Sequence, residues 1–376
     1  MSFIPVAAPV IGEREIAYVT DAIHSGWVSS MGPYIGRFEG EFARYVGVSH
    51  AITVSNGTVG LYLALHSLGI GPGDEVLVPD LTFVATAHAV LQVGATPVFV
   101  DVEPDTWCID PLAAERAITP RTRAIIPVHL YGHPADMNAI LNLAHQHDLL
   151  VVEDAAEAHG AEVNQQRVGS LGKVGVFSFY GNKIMTTGEG GMLTTNDVDL
   201  AQRMRFLKDH GMSPARRYYH AELSFNFRMT NLQAALGLAQ LEQIEGFIAR
   251  KRDIYGWYAD ALSQIPCLQM PASRPGVRNV FWLFSIVLGQ SCRLSRTDFG
   301  LALQEHEIDW RPFFVPMHQL PHLSKFRMVG RDGESCPVSE RLGGRGLNLP
   351  SGCALDEPTV RRIADTVARI ACTGDR

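Results

Sequence analysis

From about residue 50 to 200 the chain alternates short apolar, β-branched runs with segments of helical period, and Gly, Pro and Asp mark the breaks. The pattern predicts strands at Ala51–Val54, Glu75–Val78, Thr96–Val100, Ala124–Val128, Leu149–Val152 and Val174–Phe177. Between them it predicts helices such as Val59–Leu68, where Leu61, Leu65 and Leu68 share a face, and Met137–His147. Alternation of this kind builds a mostly parallel sheet covered by helices on both faces. After Gly190-Gly191 the character changes. LQAALGLAQLEQIEGFIARKRDIYGWYADAL, following Asn231, reads as one amphipathic helix of about 30 residues, although Gly237, Gly246 and Gly256 weaken it. The chain is therefore expected to divide into a large α/β domain, residues 1–247, and a smaller C-terminal α+β domain, residues 248–376. The small domain should hold strands around Val280–Val287 and a last helix from Glu357 to about Ala371. Gln319–Gly346, rich in Gly, Arg and Ser, reads as a surface loop.

Composition narrows the function classes. The 376 residues are 46% hydrophobic and 19% charged, as in ordinary globular proteins, with length for two or three domains. The net charge of −7 argues against a nucleic-acid-binding surface. Cys108, Cys267, Cys292, Cys336, Cys353 and Cys372 are scattered without Cys-x-x-Cys pairs or nearby Cys/His ligands, so reduced thiols and no metal site are expected. The opening segment lacks the basic region of a signal peptide, and no apolar run is long enough for a spanning helix. A cytoplasmic protein with no membrane partner is expected.

In doubly covered parallel sheets, ligands gather at the carboxyl ends of the strands. In VFSFYGNKIMTTGEGG a strand ends at Ser178 and Lys183 follows among Phe177, Phe179, Tyr180 and glycines. A lysine taken at random is a solvated loop residue; one enclosed by aromatics can serve as a nucleophile that forms a Schiff base with a carbonyl. Upstream, LLVVEDAAEAHG sets Asp154 at the end of a buried strand, where an acid serves either as a turn former or as the partner of a pyridine nitrogen. Ser55-Asn56-Gly57-Thr58 lies where a strand turns into a helix, which makes it an ordinary N-cap or, together with Ser178, a phosphate site. Phe83 is either a core aromatic or a stacking face for a pyridine ring. His129 and His159 can approach the same region, though a lone histidine after a strand is more often structural.

These residues, read with SGWVSSMGPYIGRFE, TTGEGG, NFRMTNLQAALGLAQLE and RPFFVPMH, resemble the fold type I pyridoxal-phosphate aminotransferases of the DegT/StrS group, which act on nucleotide-linked keto sugars. The resemblance runs over nearly the whole chain. It implies pyridoxal 5′-phosphate as cofactor, Lys183 as the Schiff-base lysine, and Asp154 at the pyridine nitrogen. It further implies Gly57, Thr58 and Ser178 at the phosphate, Phe83 on the ring, and Glu157 near the ring oxygen. Asn226 would reach the phosphate in a neighbouring subunit, which implies a homodimer with shared sites, while Arg228 in the same motif is open between that setting and structural ion pairing. TVSNGTVGL, VHLYGHPADM and GLAQLEQ are most similar to the branch that converts GDP-4-keto-6-deoxy-D-mannose to GDP-perosamine with L-glutamate, releasing 2-oxoglutarate. Lysine rather than histidine at position 183 argues for amino transfer over dehydration. Trp27, Ser29, Arg217, Tyr219, His220, Arg311 and His318 are candidates for the sugar nucleotide. Ser224, and Arg278-Asn279-Val280-Phe281-Trp282 without a histidine, depart from many relatives and leave open another keto sugar, dTDP- or UDP-linked, or a keto-cyclitol. A non-catalytic cofactor-binding regulator is the remaining alternative.

Overall fold

The computed structural model describes residues 3–372. Its main sheet runs, edge to edge, through His50–Val54, Gly191–Thr195, Val174–Ser178, Leu150–Asp154, Thr122–Ile125, Glu75–Pro79, Thr96–Val100 and Met328–Val329. Only Gly191–Thr195 runs against the others, pairing antiparallel with both neighbours. One apolar core lies on each face. The first gathers Phe38, Phe42, Phe177, Phe179 and Trp107, and the second Ile52, Leu65, Val78, Phe99 and Val176. This is the α/β architecture that the alternating runs predicted, with strand ends shifted by a few residues. The largest shift is Ala124–Val128, which pairs as Thr122–Ile125.

Helix starts follow local chemistry. Asn56 Oδ1 accepts from Val59 N at 3.0 Å to open Gly57–Ser67, and Asp136 Oδ1 accepts from Ala139 N at 3.1 Å to open Met137–His147. Thr230 and Gln233 form a capping box at Asn231–Leu241.

Two expectations are corrected. The long helix is two, Asn231–Leu241 and Ile244–Leu262. The break falls at Gln243, not at a glycine, where buried Glu15 accepts from both Gln240 Nε2 and Gln243 Nε2 at 2.7 Å. That tertiary polar knot fixes the bend, while Gly246 and Gly256 sit inside the second helix in open space. Gln319–Gly346 is not a surface loop. Met328–Val329 extends the main sheet alongside Phe99–Val100, and Leu323, Cys336 and Leu342 are fully buried. The helix Pro337–Arg345 is anchored on buried Asp101, whose carboxylate accepts from Val338 N, Ser339 N and Ser339 Oγ. The exposed edge of a sheet needs a cover, and this segment supplies it.

A smaller sheet of Leu268–Gln269, Phe284–Leu288, Gly346–Leu349 and Arg311–Pro312 packs with Ile244–Leu262 and Glu357–Cys372. Its core of Tyr258, Phe284, Phe299 and Val367 also takes in Ile4 from the start of the chain. Among the described residues, no helix is long and apolar enough to cross a membrane.

Candidate active site

A cavity of about 670 Å³ opens at the carboxyl ends of the parallel strands, within the size range of small-molecule sites. Its floor holds residues from four loops: Gly57 and Thr58, Phe83, Asp154 with Glu157, and Ser178 with Lys183. The C-terminal third of the chain adds Trp282, Arg311 and Asn348 to the lining.

At one end the helix Gly57–Ser67 begins against Ser178. A Cβ on Gly57 would lie 2.9 Å from Ser178 Cβ, and one on Gly191 would strike the Asn56 carbonyl at 2.7–2.8 Å. Only glycines permit this approach, which sets the orphan N–H groups of a helix start beside the hydroxyls of Thr58 and Ser178. Such a cradle suits a phosphate.

Asp154 ends the strand Leu150–Asp154 at 5% exposure. Its Oδ2 accepts from Thr86 Oγ1 at 2.8 Å and its Oδ1 from Ala156 N at 3.2 Å. Burial lifts its carboxyl above the ordinary range against the pull of those bonds. A buried carboxylate without a cation in contact is suited to receive one from a ligand, such as a protonated ring nitrogen.

Lys183 follows from a turn in which its N–H donates to Tyr180 O. Its side chain is 11% exposed, its Nζ lies 3.4 Å from Glu157 Oε1, and the same ammonium sits 3.9 Å above the centre of the Trp282 ring. Glu157 Oε2 accepts from Tyr131 N at 2.9 Å. Burial raises the Glu157 carboxyl too, and Lys183 opposes the rise. An amine, a phosphate cradle and a buried acid thus share one cavity, and this donor set fits pyridoxal phosphate.

The remaining candidates divide. Phe83, 54% exposed, forms a wall of the cavity with Phe314, ring centres 5.8 Å apart, and Arg311 also lines it. Trp27, Ser29, Arg217, Tyr219, His220 and Asn226 do not line it. The carbonyls of Trp27 and Ser29 accept from Asn231, and Asn226 Oδ1 accepts from Arg228 Nε at 3.0 Å. Arg228 pairs with Asp209 at 2.8 Å. Arg217, Tyr219 and His220 lie on an exposed loop, where Arg217 covers the Tyr218 ring. His129 is structural, because its Nδ1 accepts from Ala135 N and its Nε2 meets Glu153 at 3.1 Å. His159 is enclosed against Phe177 and Phe179, and burial drives its pKa down to about 3.

His318 also stays outside the cavity. Its Nδ1 meets Asp80 Oδ2 at 2.8 Å and its Nε2 meets Glu340 at 3.3 Å, with the Cys336 thiol close to the same groups. The Asp80 carboxylate raises the pKa of His318, whereas burial raises that of Asp80 itself. A histidine whose folded pKa is raised adds stability that is fully present below its unfolded value of about 6.5 and is lost as pH climbs through the folded one. His318→Gln is therefore expected to lower the thermal midpoint most at acidic pH, with the gap to the parent narrowing toward pH 9. A gap that stays constant across that range would contradict the pairing.

Three participants are not picked out as site residues by the sequence: Thr86, the second residue of the helix Ala85–Gln92, Trp282 from the C-terminal third of the chain, and Tyr131. Tyr131 takes a positive φ of 52°, and its N–H reaches Glu157.

The chain is similar to known proteins over nearly its whole length. A GDP-perosamine synthase from Caulobacter vibrioides is 46% identical over 364 residues, covering 96% of each chain. A UDP-N-acetyl-3-dehydro-alpha-D-glucosamine 3-aminotransferase from Acidithiobacillus ferrooxidans is 42% identical over 334 residues, 88% of this chain and 87% of its own. The PLP form of a putative sugar aminotransferase from Streptococcus pneumoniae superimposes with a TM-score of 0.92 at 27% identity, covering 98% of both chains. Residues 9–368 match the model of one family, and with a cavity built for its cofactor, pyridoxal 5′-phosphate, the chain belongs to the DegT/DnrJ/EryC1/StrS aminotransferase family.

Proposed function

We propose that this enzyme moves the amino group of L-glutamate to the C4 ketone of GDP-4-keto-6-deoxy-D-mannose, giving GDP-perosamine and 2-oxoglutarate. The observation that carries the substrate is the 46% identity, over 96% of both chains, to a protein named for that product. Pyridoxal phosphate, when bound, supplies a carbonyl that captures amines and a cationic ring that draws off negative charge. The Gly57-Thr58 helix start and Ser178 bind its phosphate. Asp154, oriented by Thr86, keeps a proton on the ring nitrogen. Lys183 Nζ takes the proton from the α-carbon of glutamate and, in the return half, gives one to C4 of the sugar. Glu157 orients the lysine from the floor, and Trp282 and Phe314 exclude water from above. Arg311 faces the anionic groups of the substrates.

The 42% identity to the Acidithiobacillus protein favours a second reading, a UDP-linked keto sugar. Incubating the enzyme and glutamate with GDP- and dTDP-linked 4-keto sugars and with UDP-linked 3-keto and 4-keto sugars, read by mass spectrometry, separates the two. The GDP sugar should gain an amine fastest, and amination of the UDP or dTDP sugar alone would overturn the first reading.

A homodimer with shared sites is part of the same proposal. Ile16, Ile23, Trp27, Val28 and Met31 expose an apolar strip of the kind that marks an interface. Trp27, Ser29, Arg217, Tyr219, His220 and Asn226, remote from the cavity of their own chain, would then serve the cavity of the second. Asn226→Ala is expected to weaken cofactor retention about tenfold, the worth of one hydrogen bond to a charged group. Equilibrium dialysis measures it, and an unchanged affinity would remove Asn226 from the site. The division at residue 247 is supported by the separate core around Tyr258 and Phe284. Free cysteines throughout the described chain support a reducing, cytoplasmic setting.

A further inference from the structure

Cys267 and Cys292 share no motif in the sequence, yet the small sheet brings them together. Cys267 stands directly before the edge strand Leu268–Gln269, which pairs antiparallel with Phe284–Leu288, Leu268 opposite Leu288. One residue beyond that register, Gly289 N donates to Cys267 O at 2.7 Å, and Cys292 N donates back to Gly289 O at 3.0 Å. A Cβ on Gly289 would lie 3.2 Å from the Cys267 carbonyl oxygen, so this close approach favours glycine. Arg345 pins the same turn. Its Nε donates to Leu288 O at 2.6 Å, and its Nη2 donates to Gly289 O at 2.6 Å and to Cys292 O at 3.2 Å.

The turn sets Cys292 against the end of that strand. Cys292 is buried in the apolar core with Leu268, Leu288 and Ala371, and half-buried Cys267 packs against the same core. There the Cys267 thiol is hydrogen-bonded to the thiol of Cys292, while Cys372, exposed at the end of the last helix, acts on it through its charge. Burial, with the Cys292 thiol second, pushes the Cys267 thiol up, so both the contact and the reduced form persist at neutral pH. A single buried cysteine is a small hydrophobe, whereas two thiols in contact are one oxidation from a covalent bond. A disulfide forms only where the fold has made two sulfurs neighbours, and here it has. Neither cysteine lines the cofactor cavity.

We propose that Cys267 and Cys292 form a modification site, at which a small disulfide oxidant of the oxidised-glutathione class makes an intramolecular disulfide. The thiolate of Cys267, the more accessible of the two, attacks one sulfur of the oxidant, forming a mixed disulfide and releasing one small thiol. The Cys292 thiolate then attacks the Cys267 sulfur, which closes the bond between the cysteines and releases the second small thiol. Two electrons pass from the pair to the oxidant, and the two cysteine protons end on the released thiols. The bond fastens an edge strand held by two register pairs to the turn beyond its neighbour.

The reduced full-length protein is incubated with oxidised glutathione, blocked with N-ethylmaleimide and digested with trypsin without reduction. Arg278 lies between the two cysteines, so trypsin parts them onto separate peptides. Mass spectrometry should find these peptides joined, two hydrogens lighter than their sum, and dithiothreitol should separate them. The joined form should exceed glutathione-bearing Cys267 about tenfold or more, because thiols in contact have an effective concentration above the millimolar range. In Cys292→Ser the joined peptide should vanish and glutathione should remain on Cys267, whereas Cys372→Ser should leave the pair intact. Cys292→Ala gives the same readout if a buried serine hydroxyl disturbs the fold. Three results in the parent would overturn the proposal: glutathione left on Cys267, a Cys267–Cys372 link in place of the pair, or both thiols still open to maleimide once Cys372 carries glutathione.

Discussion

Lys183→Ala is expected to lower kcat by about 10³-fold or more, since it removes both the group that captures the cofactor carbonyl and the base that moves the proton. The fold should survive. The side chain contributes an amine to the cavity, not packing to a core, and truncation leaves Glu157 free to take up a proton, because burial already raises its carboxyl. Borohydride reduction followed by peptide mapping checks the assignment. The parent should carry a cofactor-sized mass on the peptide that contains Lys183, and the variant should carry none. A mass on another lysine in the variant would show that the reactive amine lies elsewhere.

Asp154→Asn is expected to cost about 10²–10³-fold in kcat, the range for removing one preorganised electrostatic group. The amide preserves the shape of the carboxyl: its oxygen can still accept from Ala156 N while its NH2 donates to the Thr86 hydroxyl, which can also accept, so the loss is chiefly that of the charge. Burial already pushes the Asp154 carboxyl toward its neutral form, and a cationic ring nitrogen in contact would keep it ionised. Cofactor affinity should therefore fall together with kcat. Steady-state kinetics at saturating cofactor test this, and a variant with parent kcat under those conditions would exclude Asp154 from the ring nitrogen.

Much of the cavity floor was legible because its residues sit where local pattern and topology coincide. A parallel strand buried on both faces is a continuous apolar run, so its polar end stands out, and Asp154, Ser178 and the Gly57-Thr58 turn all follow such ends. Lys183 stood out because aromatics and glycines surround it in the sequence, but the ring over its amine is that of Trp282, while Phe177 and Phe179 pack into the core against Phe42. Thr86 did not, because it lies inside the helix Ala85–Gln92, past the polar strand end that drew attention to Phe83. Trp282 arrives from about 100 residues further along the chain than Lys183, and its surroundings in the sequence do not mark it as a partner of that lysine. The break at Gln243 depends on Glu15, more than 200 residues away in the chain, and helix periodicity cannot register it. Met328–Val329 forms only a short pairing at the sheet edge, within a segment whose Gly and Arg content resembles a loop. Polar candidates chosen by motif alone, such as His318, were separated from the cavity by long-range partners such as Asp80.

The central claim is that the nitrogen of glutamate is stored in the Lys183 cavity and then passed to a keto sugar. Enzyme loaded with pyridoxal phosphate is incubated with ¹⁵N-glutamate, stripped of free amino acid by gel filtration, and mixed with GDP-4-keto-6-deoxy-D-mannose. The account predicts one ¹⁵N-labelled amino sugar per cavity in the parent and none in Lys183→Ala. Amination that appears only when glutamate and sugar are present together, or a sugar product without the label, would contradict it.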